Sequence, residues 1–206
     1  VARFGPSADH ITFKVADIHV AIDAVTAAGY PPVSVNLEFR EWMEAFLHPK
    51  SSHGVVVQVA ESHDEGWDRP PPPDQFPAAM PSNPATLVRV THAVAALDAA
   101  RALFEDVLLG EEIAQGVGSS DGNRLPEGSG RWRELAWPGG GHLRLVEPDG
   151  GGELSDWIGR RTGRVHHIAF AVDDPAAIQG ASPAADGTWV VDPEDNLGTR
   201  LVLEPR

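Results

Sequence analysis

The sequence predicts an α+β fold built from tandem βαβββ modules. Three observations carry this. A short apolar strand led by histidine occurs three times, as His10-Ile11-Thr12-Phe13-Lys14-Val15, Thr91-His92-Ala93-Val94 and His166-His167-Ile168-Ala169-Phe170-Ala171-Val172. A helix start follows each one. Each segment then closes on a strand rich in Val and Leu, at Val55-Val56-Val57-Gln58-Val59, Leu143-Arg144-Leu145-Val146 and Leu201-Val202-Leu203. Self-similarity on this scale marks repeated supersecondary units.

Residues 10–15 alternate as a half-buried strand does. Asp17 suits an N-cap, and Ile18, Ile22 and Val25 then lie on one face of a helix that ends at Gly29. Pro31-Pro32 breaks that helix, and strands follow at Val33–Leu37, Met43–Leu47 and Val55–Ala60. Residues 63–84 include four consecutive prolines, which favour an extended polyproline II spacer over a helix or central strand. The second unit has a strand at Leu87–Val94 and a helix spaced by Leu97, Ala100, Phe104 and Val107 that stops near Gly110. A Gly/Ser/Asp loop at 115–130 precedes strands at Trp132–Trp137 and His142–Val146. The third unit is shorter, with a helix cut to Pro175–Gln179 and strands at Trp189–Val191 and Thr199–Leu203.

Residues 1–62 therefore read as one module, 63–84 as a Pro-rich linker, and 85–206 as two paired modules, 85–148 and 164–206. The first module has no companion here. An uncovered sheet face and edge are features that soluble proteins avoid. Its other half is expected upstream of Val1, which is not a natural start, or in another subunit as a homodimer. The linker is long enough to let it swing away from 85–206.

Bulk properties narrow the function. The 206 residues are 42% apolar and 22% charged, with a formal net charge of −14. That balance argues against nucleic acid and anionic membrane as partners, since both call for clustered Lys and Arg. It favours a soluble protein with a small-molecule ligand, a cationic one or a metal being the better match to the acidic charge. Cysteine is absent, which removes disulfides and thiolate ligands and fits a cytoplasmic location. No apolar run approaches the ~18 residues of a membrane span.

The repeats resemble the vicinal oxygen chelate superfamily, which includes glyoxalases, antibiotic-binding resistance proteins and dioxygenases. Two segments resemble its methylmalonyl-CoA epimerases in particular: Phe46-Leu47-His48-Pro49-Lys50-Ser51-Ser52-His53-Gly54-Val55, and Glu147-Pro148 through Leu154-Ser155-Asp156-Trp157-Ile158-Gly159 to His166-His167-Ile168. The resemblance implies paired modules whose curved mixed sheets form a cup around a divalent metal. It places metal ligands at His10 and Gln58 in the first unit, and at His92 and His167 in the 85–206 pair. Glu134 matches the proposed catalytic carboxylate. Arg144 and Val202 stand where oxygen ligands belong, so no tightly held metal is expected in the 85–206 cup; zinc, nickel, cobalt or iron is expected, if anywhere, at His10 and Gln58.

Alternation puts Arg144 on the face opposite Leu143 and Leu145. Inside a cup this buried cation needs Glu134 or an acidic ligand as partner. Trp132, Trp137 and Phe170 are expected to wall the ligand, as is Trp189. Two functions remain open. One is an epimerase- or lyase-type enzyme that moves a proton next to the carbonyl of a small carboxylate- or thioester-bearing metabolite. The other is a metal-free protein that binds or sequesters a small molecule such as an antibiotic.

Overall fold

The computed structural model describes residue 8 and residues 10–63, 84–118 and 130–206. The first unit comprises β1 (His10–Lys14), α1 (Ile18–Ala27), β2 (Ser34–Asn36), β3 (Met43–Leu47) and β4 (Val56–Glu61). Its strands lie in the order β1-β4-β3-β2, with β1 parallel to β4. Helix α1 starts where the sequence predicts. Asp17 is extended, its side chain accepts from the N–H groups of His19 and Val20, and Ile18 and Val25 are buried.

The second unit comprises β5 (Thr86–Val94), α2 (Leu97–Arg101) continuing as π-helical turns over Ala102–Val107, β6 (Glu111–Val117), β7 (Gly130–Ala136) and β8 (His142–Pro148). Helix α3 (Glu153–Ile158) leads to the third unit: β9 (Gly163–Val172), a 3-10 turn at Pro175–Ala177, β10 (Ala181–Pro183), β11 (Trp189–Val191) and β12 (Arg200–Pro205). These strands form one sheet in the order β10-β11-β12-β9-β5-β8-β7-β6. Each unit repeats the pairing of its first strand, parallel, with its last. The second and third units join where β5 and β9 run antiparallel. This is the predicted tandem βαβββ architecture. Strands β6 and β10 and helix α3 go beyond the elements read from sequence, and β6 takes the start of the expected 115–130 loop. The rest of that loop and nearly all of the Pro-rich linker lie outside the described residues.

The first unit does not swing free. Val25, Leu47, Val55 and Val57 share one buried cluster with Val94, Leu97, Leu103, Phe104, Leu135, Leu143 and Leu145. The helix-bearing faces of the first two units are thus packed back to back. The Phe13 ring sits 6.2 Å from that of Phe104 and 5.0 Å from that of Trp137. Burying two apolar faces against each other outweighs the freedom that the linker's length allows. At one point the chains nearly touch: Gly54, at φ +89°, lies so close to Gly163 that a Cβ would strike its backbone. No helix among the described residues is long and apolar enough to cross a membrane.

Candidate functional site

Period-2 alternation sorts the eight-stranded sheet into two faces. Leu135, Leu143, Leu145 and Val94 point to the helices. The other, inner face is fixed by ladder partners: Thr91 lies beside Arg144, Arg144 opposite Glu134, Thr91 opposite His167, and His167 beside Arg200. Arg89 is opposite Ala169 and reaches Glu204 on β12. Five strands therefore bring Arg89, Thr91, Glu134, Arg144, His167 and Glu204 to one face.

The charges there are paired. Arg144 donates from Nε and Nη2 to Glu134 Oε2 at 2.9 and 2.6 Å. The other Glu134 oxygen lies 3.1 Å from His142 Nδ1. Arg89 Nη2 donates to Glu204 Oε1 at 2.5 Å. Arg89, Glu134, Arg144 and His167 are each buried, while His142 is half-exposed. Burial pushes the Glu134 carboxyl up, but the charge and hydrogen bonds of Arg144, with Arg89 and His142 behind them, hold it below its usual range. Burial pushes the His167 imidazole well below its ordinary value, and the nearby His166, Arg89 and Arg144 push it the same way, so the ring is neutral. The guanidinium of Arg144 lies 4.9 Å from the Trp132 ring centre, a cation–π contact.

The three histidines do not occupy equivalent places. His10 lies beside Val56, two positions before Gln58, and His167 beside Arg200, two before Val202. His92 lies beside Leu145, one position after Arg144. That offset is odd, so His92 faces the helices. It is fully buried against Phe104, and its Nε2 sits 2.8 Å from the His53 carbonyl of the first unit. Burial lowers its pKa to about 4. The expected pairing of His92 with His167 across the cup is thus corrected. The true counterpart of His10 and His167 is Arg89, two residues before Thr91 on the strand beside β8. A countable signal marks it: the helix N-caps Asp17, Ala96 and Asp174 each lie seven residues after His10, Arg89 and His167.

The inner face does not fit a divalent metal. The four ligand positions carry Arg89, Arg144, Val202 and His167: two cations, an aliphatic group and one imidazole. In the first unit His10 and Gln58 do share a face, but the Gln58 amide is engaged. Its oxygen accepts from Thr12 Oγ1 at 2.6 Å and its nitrogen donates to Glu44 Oε2 at 2.5 Å. His10 is exposed, its ring edge-on to Phe46. Among the described residues no three His, Asp or Glu side chains cluster as a metal site.

Of the aromatic residues expected to wall the ligand, only Trp132 lies on the inner face. Phe170 and Trp189 pack with Leu203 and Val191 on the opposite face. Trp137 packs on Phe13, its Nε1 donating to the Leu108 carbonyl at 2.7 Å. Parity again explains this, since Phe170 is an odd number of residues from His167. Sequence reading missed Arg89, Thr91 and Glu204, and gave Glu147 no role. Glu147 Oε2 instead accepts from the first helical N–H of α2, at Leu97, at 2.6 Å; Glu61 does the same for Ile18 of α1 at 2.7 Å. Each carboxylate lies three residues beyond the last-strand position, Gln58 or Arg144, and caps its own unit's helix.

No protein-family model and no curated protein matches the chain. Among solved structures, methylmalonyl-CoA epimerase from Mycobacterium tuberculosis is 22% identical over 58% of this chain and 87% of its own, at a TM-score of 0.44. The Streptomyces coelicolor methylmalonyl-CoA epimerase in complex with 2-nitronate-propionyl-CoA is 21% identical over 58% of this chain and 97% of its own, at 0.41. A hypothetical protein from Staphylococcus aureus is 6% identical over 96% of this chain and 65% of its own, at 0.54. That last likeness spans nearly the whole chain and concerns the fold alone. The tandem βαβββ arrangement itself is read from the strand order and pairing described above.

Proposed function

We propose that the inner face of the 84–206 sheet is a metal-independent binding site for a small carboxylate- or thioester-bearing metabolite. One observation carries this reading: Arg144 is 6% exposed, yet its pairing with Glu134 uses only Nε and Nη2. Nη1 remains for a ligand oxygen, with Arg89 near enough to add to the field. The site favours an anion although the chain as a whole is acidic. This weighs against a cationic antibiotic as occupant. Calorimetric titration with malonate, methylmalonate and methylmalonyl-CoA tests it. Binding of one of them is expected, with a loss of about a hundredfold in Arg144→Leu and a smaller loss in Arg144→Lys. Equal affinity in Arg144→Leu would remove the basis of the reading.

A second reading is proton transfer next to a carbonyl. It is favoured by the link from Glu134 through His142 toward the rim, which offers the proton a route to solvent. Against it stands the lowered pKa of Glu134, which makes it a weak base. Methylmalonyl-CoA incubated with the protein in deuterium oxide decides the matter. Deuterium at C2, absent in Glu134→Gln, supports an epimerase-type activity, and no exchange above buffer refutes it.

The first unit is a separate matter. A divalent ion at His10 and Gln58 needs further ligands from a companion unit, and strand β1, an edge of the four-stranded sheet among the described residues, is where a second copy would add. Light scattering and elemental analysis of the purified chain test a homodimer and its metal together.

A further inference from the structure

We propose that His167 Nε2–H and the Thr91 hydroxyl form a neutral two-donor subsite for a carbonyl or carboxylate oxygen, with His167 held in that tautomer by a chain of hydrogen bonds from Arg200. The subsite rests on the inner face being the ligand site described above. Arginine only donates. Its Nη1 in Arg200 lies 3.4 Å from His166 Nε2, so that nitrogen accepts. A neutral His166 then carries its proton on Nδ1, which lies 2.7 Å from His167 Nδ1. His167 Nδ1 therefore accepts, and its own proton stays on Nε2. An accepting His166 Nε2 bears no proton, so this geometry by itself makes the His166 ring neutral.

The ladder supplies the second donor. Thr91 lies directly opposite His167, is 1% exposed, and has a buried hydroxyl with no hydrogen-bond partner. Native proteins seldom leave such a group unsatisfied. A ligand oxygen between strands β5 and β9 would satisfy it and the His167 N–H together. The same Thr91 lies beside Arg144 on its other flank. The charge that attracts an acid and the neutral donors that orient a second oxygen thus lie on three adjacent strands. The ligand class is an acid with a second oxygen acceptor, such as a dicarboxylate or a carboxylated thioester. The extra residue His166, inserted where the β5–β9 register shifts between Thr91 and His92, places the two imidazoles in line. His166 and Arg200 are positioning residues.

Nitrogen NMR of the full chain carrying 15N-histidine reads the tautomers directly, and malonate serves as the probe. His166 is expected as Nδ1–H and His167 as Nε2–H, with the His167 Nε2 signal moving on malonate addition. Thr91→Val should weaken malonate about fivefold, the loss of roughly one hydrogen bond. Arg200→Leu should alter the His167 tautomer and weaken malonate by a similar factor, and Arg200→Lys should restore both. An Nδ1–H tautomer for His167 would overturn the subsite. So would full malonate affinity in Thr91→Val while Arg144→Leu abolishes binding, which leaves the anion site standing. No malonate binding to the unaltered chain would sink the anion site and the subsite with it.

Discussion

The first and second units repeat one plan in different company. Both place a threonine beside the last-strand position, Thr12 beside Gln58 and Thr91 beside Arg144. Both cap the helix with a carboxylate from the end of the last strand. The second unit's first strand is covered by β9, and its inner face carries buried ion pairs. The first unit's inner face carries a hydrogen-bonded chain around one carboxylate instead, with no arginine paired to it among the described residues: Thr12 and Trp42 are linked through Gln58 and Glu44. There His10, Thr12 and Lys14 are exposed. A companion strand, and not the module itself, decides whether that face is an interior where charges must be paired.

The largest expected effect breaks this comparison at its centre. Arg144→Leu strands Glu134 without its main partner and should cost about 3–5 kcal/mol in chemical denaturation. The equivalent Gln58→Leu loses hydrogen bonds at the sheet's open side and should cost about 1–2 kcal/mol. Equal losses at the two positions would show that β9 does not set their difference.

Acid provides the next test. His92 and His166 have folded-state pKa values of about 4, below the ordinary 6.5, because burial disfavours the charged ring. The unfolded chain therefore binds more protons, so stability is full above pH 6.5 and falls as pH drops toward 4. Each contributes roughly 3 kcal/mol to that fall. His92→Phe puts at position 92 the aromatic that the first and third units carry at Phe13 and Phe170. It should remove one share of the pH 6.5–4 slope, measured as denaturation midpoint against pH. An unchanged slope would contradict the buried, neutral state of His92.

The helix caps sharpen the likeness between units. Glu147→Gln and Glu61→Gln should each cost about 1 kcal/mol, by similar amounts, since each carboxylate serves a first-turn N–H. A cost confined to Glu147 would mean that α1 draws its stability from packing on the second unit. His10→Ala should leave the thermal midpoint unchanged, because the side chain is exposed. A clear drop would argue that β1 is covered in solution by a companion.

Much of the fold was legible. Periodicity and turn residues located β1, α1, β3, β5 and β8, and the face of Arg144 followed from alternation alone. The mostly exposed β6 and the three-residue β10 carry too little apolar pattern to be seen. The site was legible in part: Arg144, Glu134, Trp132 and His167 meet on one face as the alternation and the repeats suggested. His92 did not, because the phrase Thr91-His92-Ala93-Val94 imitates a histidine-led strand that is shifted by an odd number of residues. Counting back from the helix starts would have found Arg89.

By itself the sequence determined what local chemistry determines: the repeat, the helix caps, the strand that carries each side chain, and an acidic surface poor in clustered cations. Period-2 and period-3.6 patterns act over a few residues, so they survive in any surroundings. Only the tertiary structure decided which partners meet. The β5–β9 junction put His167 opposite Thr91 and Glu204 within reach of Arg89. The extra residue His166 changed the parity between the two strands. The apolar helix-side faces of the first two units found each other across the linker. Such contacts join residues far apart in the chain, and burial acts on whatever surface the fold leaves apolar, without regard to sequence order.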